Sequence, residues 1–102
     1  MSVLQVRGGV PHVFRATIDE AGRDHNLPSF ASFMVIRVAT NPCKIYFTLA
    51  DFTANENYIL VPVPSTSTPY GEWCGPVEID KLWLKGSGGN SAVELVTFQR
   101  RG

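Results

Sequence analysis

Charge is scarce in this sequence. Nine Lys and Arg balance nine Asp and Glu, and charged residues make up 18% of the 102. A zero net charge argues against a partner held by charge, because each phosphate neutralised on a nucleic acid or an anionic membrane needs a Lys or Arg. Long apolar runs are also missing. The best stretch, residues 30–39, is short and carries Arg37, so no membrane span is expected. Residues 1–10 lack the apolar segment of a secretion signal, and synthesis in the cytoplasm is expected. Only two cysteines occur, Cys43 and Cys74. They have neither CxxC spacing nor enough companions for a zinc site. In the cytosol they would stay as thiols, and a disulfide would need an oxidising compartment. No stretch keeps a helical period beyond about two turns.

What is present is apolar and aromatic. The chain is 44% hydrophobic and 11% aromatic, too apolar for disorder. Low charge together with many rings implies that something else covers part of the surface. The length suits one domain with a modest core. Residues 1–9 read as a flexible arm ending in Gly8-Gly9, and residues 10–102 as one domain.

The clearest pattern is in residues 76–99. Val77, Ile79, Leu82 and Leu84 precede Gly86-Ser87-Gly88-Gly89-Asn90-Ser91; Val93, Leu95 and Val96 follow, with Phe98 near the end. Two strands joined as a hairpin by a glycine-rich turn are expected there. Upstream, residues 10–18 alternate so that Phe14, Ala16 and Ile18 face inward. Residues 19–29 are dense in Asp, Gly, Asn and Pro and read as a polar loop.

Residues 30–39 form a strand with Met34, Ile36 and Val38 on one face and Phe33, Val35 and Arg37 on the other. Both faces are largely apolar, which suits a central strand or one facing a partner. A turn at residues 40–42 leads to an alternating strand, 43–49, and the two are expected to pair as a hairpin. A polar connection anchored by Phe52 precedes a strand at 58–63, where Pro62 marks an end or an edge. Residues 64–75 form the longest irregular segment, and Tyr70 and Trp73 make it a candidate contact surface. Short strands at this spacing predict an all-β, two-sheet antiparallel sandwich, jelly-roll-like, with seven to eight strands. Such a fold leaves edges that oligomerisation commonly protects.

No constellation carries catalysis. The glycine run resembles a phosphate loop only superficially, because Lys85 precedes the glycines and a strand follows. Asp19, Glu20, Asp24 and His25 sit in one loop, whereas paired carboxylates must oppose each other across a cleft. Cys43 shares its face with Ile45 and Phe47, which predicts burial and inertness rather than nucleophilicity. No enzyme activity, cofactor, metal or small-molecule ligand is expected. Tyr70, Trp73 and Trp83 could together stack on a sugar, as in a carbohydrate-binding module or adhesin, or could anchor a protein interface.

From about Met34 onward the order of features is NPCKIYFTLADFTA, then YILVPV, a loop, and GPVEIDKLWLKGSGGNSAVELVTFQRRG. This order resembles small structural proteins of tailed-bacteriophage virions, most of all capsid decoration (cement) proteins. It spans about two thirds of the chain and contains no catalytic signature. The resemblance implies a non-enzymatic β domain present in many copies on a virion particle, and as a decoration protein the chain would sit on the capsid surface. Its partners would be the major capsid protein and itself, as dimer or trimer. A head–tail adaptor or tail component is the alternative within the same group. The residues expected to make contacts are Arg7, Phe33, Val35, Arg37, Tyr70, Trp73, Trp83, Arg100 and Arg101.

Overall fold

A computed structural model of the chain describes residues 9–27, 31–67, 71–77 and 79–100, with the side chains of all but 9, 10, 99 and 100. The described residues contain eight strands: β1 (Gly9–Ile18), β2 (Arg23–Asn26), β3 (Ala31–Ala39), β4 (Cys43–Tyr46), β5 (Ile59–Val61), β6 (Glu72–Pro76), β7 (Lys81–Gly86) and β8 (Ser91–Arg100). One short helix, α1 (Leu49–Ala54), lies between β4 and β5. The strands form two four-stranded sheets. Sheet A has the order β1-β8-β3-β6 and sheet B the order β2-β7-β4-β5. Every pairing is antiparallel. The fold is thus the expected all-β sandwich, and its strand order is that of a jelly roll.

Alternation places the core. Ile18 from β1, Met34, Ile36 and Val38 from β3, and Val93 and Leu95 from β8 point into the sandwich from sheet A. Cys43, Ile45, Leu82 and Leu84 meet them from sheet B. Burying side chains of this size contributes about 1.5–3 kcal/mol each, so these two layers supply most of the hydrophobic stabilisation. Aromatic rings close both open sides. Phe14 stacks on His25 with centroids 4.0 Å apart where β1 overlies β2. Trp73 lies 6.1 Å from Phe47 on the opposite side.

Two expected pairings do not occur. The strands flanking the glycine turn, β7 and β8, belong to different sheets, as do β3 and β4 around residues 40–42. Both connections pass from one sheet to the other over the surface instead of forming hairpins. The glycine turn is held by neighbouring corners: Gly86 N donates to Asp19 O (2.8 Å), Ser87 N to Pro42 O (2.8 Å) and Asn41 Nδ2 to Asn90 O (2.9 Å). Gly88 and Gly89 take φ of 78° and 142°, which disfavour L side chains.

Three segment boundaries also differ from expectation. The polar loop 19–29 contains β2, an edge strand of four residues whose burial is slight. The connection 50–57 holds most of α1, so the strand expected over 43–49 stops at Tyr46. Thr48 caps this helix, its hydroxyl accepting from Asp51 N, and Asn55 ends it in the left-handed region. Within 64–75, residues 72–75 belong to β6 rather than to a loop.

Candidate protein-contact face

The outer faces of the two sheets differ. On sheet B, α1 and Tyr58 cover the outward side of β4. Tyr46 is fully buried there, with Phe52 and Tyr58 at 5.5 and 5.4 Å. Its hydroxyl donates to Asn55 Oδ1. Burial is the first cause that raises the Tyr46 phenol above its ordinary range, followed by the neighbouring Tyr58 and Cys43. Lys85 lies 4.7 Å from the Phe52 ring centroid and donates to Phe52 O at 3.2 Å. Trp83 packs at the margin of this group, 6.5 Å from Phe52. Among the described residues, no element lies over the outer face of sheet A.

Register builds that open face in rows that run across all four strands. Arg15, Glu94, Arg37 and Glu72 form one row, from β1 through β8 and β3 to β6. Their charges alternate, and each neighbouring pair is joined. Arg15 Nη2 is 2.8 Å from Glu94, Arg37 Nε is 2.9 Å from Glu72, and Arg37 Nη1 is 3.7 Å from Glu94. Glu72, ahead of Glu94, raises the Arg37 guanidinium further above its already high value. The pairs are exposed, so water and salt screen them and they order the row more than they stabilise the fold.

The next two rows are apolar. Val13, Val96, Val35 and Cys74 follow the charged row, and Pro11, Phe98, Phe33 and Pro76 follow them. Val13 is 63% exposed. The Phe33 and Phe98 rings meet edge to face at 6.1 Å. Beyond the charged row on the other side, Thr17, Ala92 and Ala39 are small, and a shallow trough of about 540 Å³ lies over them between Arg15 and Arg37. The sheet therefore presents a continuous apolar surface bounded by a neutralised charge row. Surfaces of this kind mark contact sites.

Three of the expected contact residues, Phe33, Val35 and Arg37, are brought together on this face. Trp83 is elsewhere, on the outer side of sheet B. Trp73 is on β6 rather than on a loop. It pairs with inward-facing Ile36 and packs against the core. The two indoles thus sit on opposite sheets, one turned inward and one outward, and do not make one stacking platform. The backbone of Arg100 pairs with that of Gly9 on sheet A. Arg7, Tyr70, Arg101 and the side chain of Arg100 lie outside the described residues.

Sequence reading missed Arg15, Val13, Glu94, Val96, Phe98 and Cys74 as members of the face. The available signal was the apolar or paired-charge character of the outward positions in 10–18 and 91–100. Register, which no single strand encodes, assembles them.

The polar loop residues do not converge. Asp19 Oδ1 accepts from Gly22 N, Asp24 turns outward to Lys81 at 3.1 Å, and His25 turns inward onto Phe14. The Lys81 ammonium, by hydrogen bond and by charge, holds the Asp24 carboxyl below its usual range. Among the described residues, no group of three or more His, Cys, Asp or Glu is placed to hold a metal ion, and no helix is long and apolar enough to cross a membrane. Cys43 faces the core and Cys74 faces outward from the other sheet, so both are free thiols. Comparison with protein-family models, curated proteins and solved structures finds no match.

Proposed function

We propose that this chain is a capsid decoration protein of a tailed-bacteriophage virion, acting through contacts rather than chemistry. The observation that carries the reading is the asymmetry between the sheets. One outer face is covered by α1, while the other exposes apolar rows on the longest strands of the fold. A rigid sandwich with one outer sheet face left open among the described residues suits a tie between neighbouring subunits of a lattice. The order of strand and turn features from Met34 onward supports the same reading by its likeness to virion proteins.

The mechanism is linkage. A contact that exists only in the assembled shell stabilises that shell by mass action. Repetition over the lattice turns modest single contacts into firm attachment, because each further site is engaged at high effective concentration. The coat protein is the expected partner, met by the segments around Arg7 and Arg101. Nucleic acid, membrane and cofactor play no part in this account. The carbohydrate-binding alternative is weakened by the separation of Trp73 from Trp83.

The test is co-sedimentation of the purified chain with expanded capsids that lack it. Saturable binding, with shells that break at a higher temperature, supports the proposal. Failure to bind shells, together with binding to tails, replaces it with the adaptor or tail reading.

A further inference from the structure

We infer that the outer face of sheet A is a self-complementary interface, and that two copies of this chain pair through it about a two-fold axis parallel to the strands, between β8 and β3. The argument stands on the order of side chains across the sheet and does not depend on the capsid reading.

Face-to-face packing about such an axis reverses the strand order of the second copy and keeps each row opposite itself. β1 then meets β6 of the partner, and β8 meets its β3. The charged row reads plus, minus, plus, minus from Arg15 to Glu72. Reversed, it reads minus, plus, minus, plus. Arg15 therefore faces Glu72 of the second copy, and Glu94 faces its Arg37. The apolar rows are near-palindromes. Val96 faces Val35, Phe98 faces Phe33, and Val13 faces Cys74. A two-fold axis perpendicular to the strands would instead set each charge against its own copy if it passed through the charged row, and would set that row against a different one anywhere else. The row thus selects both the occupant and the axis, which is what an isologous interface requires.

The sheets would pack about 10 Å apart with strands within about 30° of parallel, as inner sheets do in sandwiches. Three rows across four strands cover roughly 20 Å by 20 Å, or about 800 Å² summed over both copies. That is small for a permanent dimer and suits a weak one with a dissociation constant in the micromolar range. The alternating charges also protect the free monomer, because each is already paired within its own sheet.

Sedimentation velocity on the wild-type chain, from about 1 to about 300 μM, is the first test. A reversible shift from the 11.2 kDa monomer to twice that mass is expected. A chain that stays monomeric throughout overturns the inference. The second test uses two variants, one with an all-acidic row (Arg15→Glu with Arg37→Glu) and one with an all-basic row (Glu72→Arg with Glu94→Arg). Each alone is expected to be monomeric, and their mixture to dimerise. Wild-type-like dimers of either variant alone place the interface elsewhere and overturn the inference.

A third test survives poor folding of those variants. Val13→Cys in the otherwise wild-type chain, treated with a bismaleimide spanning about the 10 Å sheet spacing, is expected to give covalent dimers through Cys74. Wild type is expected to give none, because the two Cys74 residues lie at opposite edges of the interface. Equal cross-linking in wild type, or none in the variant, contradicts the proposed axis.

Discussion

Gly86 at the end of β7 donates its amide to the carbonyl of Asp19, just past the end of β1, at 2.8 Å. That bond joins one sheet to the other and replaces the hairpin pairing that the glycine turn suggests. A Cβ on Gly86 would lie 2.6 Å from Ile18 O and would also strike Gly89 O. Gly86→Ala is therefore expected to cost about 2–3 kcal/mol and to lower the Tm by roughly 10 °C. Gly88→Ala, where the space is open but φ is 78°, is expected to cost about 1–2 kcal/mol. Thermal melts of both variants check the order.

Tyr46 and Asn55 tie α1 to sheet B. Tyr46→Phe removes the donor and leaves the Asn55 oxygen with only Lys44 Nζ at 3.4 Å, so a loss of about 1 kcal/mol is expected. Asn55→Ala loses the same bond and also strains a left-handed position (φ 56°), so it is expected to cost more than Asn55→Gly, which keeps the backbone relaxed. Chemical denaturation of the three variants provides the comparison.

The two thiols should behave differently. Burial pushes the Cys43 thiol up to about 12, against weaker lowering by the Lys85 backbone and Ser91. The neighbouring Ser91 hydroxyl completes no hydrogen bond of normal geometry. Cys74 is exposed. A thiol reagent is expected to modify one cysteine per folded chain and two after unfolding. The unfolded chain ionises Cys43 near pH 8.5, whereas the folded chain holds it neutral to about 12. Stability from this group is thus complete below pH 8.5 and lost as pH rises towards 12. Its size is on the order of a few kcal/mol. Cys43→Val is expected to flatten that alkaline slope.

His25 gives the opposite slope. Its half-buried ring stacks on Phe14, and burial first, then Arg23, lowers its pKa, while Asp24 opposes. The unfolded chain binds the proton more readily, so stability falls as pH drops below about 6.5. His25→Phe is expected to retain the stacking and to reduce that acid-side loss, as read from melts between pH 5 and 8.

Much of the fold was legible because alternation reports which side chains are buried. Phe14, Ala16 and Ile18 face inward as expected, as do Met34, Ile36 and Val38. Alternation does not report which strand lies alongside. Turn residues such as Gly88 and Gly89 reverse a chain equally well within a sheet or between sheets, and here the contacts of Gly86, Ser87 and Asn41 decide for crossing. β2 and β6 escaped notice because edge strands need little burial: Arg23–Asn26 is polar, and Glu72–Pro76 contains Gly75 and Pro76. α1 did leave a signal, Thr48 three residues before Asp51, which is the start of a capped helix. On the candidate face, Phe33, Val35 and Arg37 stood out because an outward strand face was apolar. Glu94 and Val96 could not be joined to them without the register.

Cryo-electron microscopy of virions that carry this chain tests the central claim most directly. The account predicts density for the eight-stranded sandwich at repeated positions on the outer capsid surface, bridging coat subunits. Density for the chain in the tail alone, with a bare shell, would contradict it.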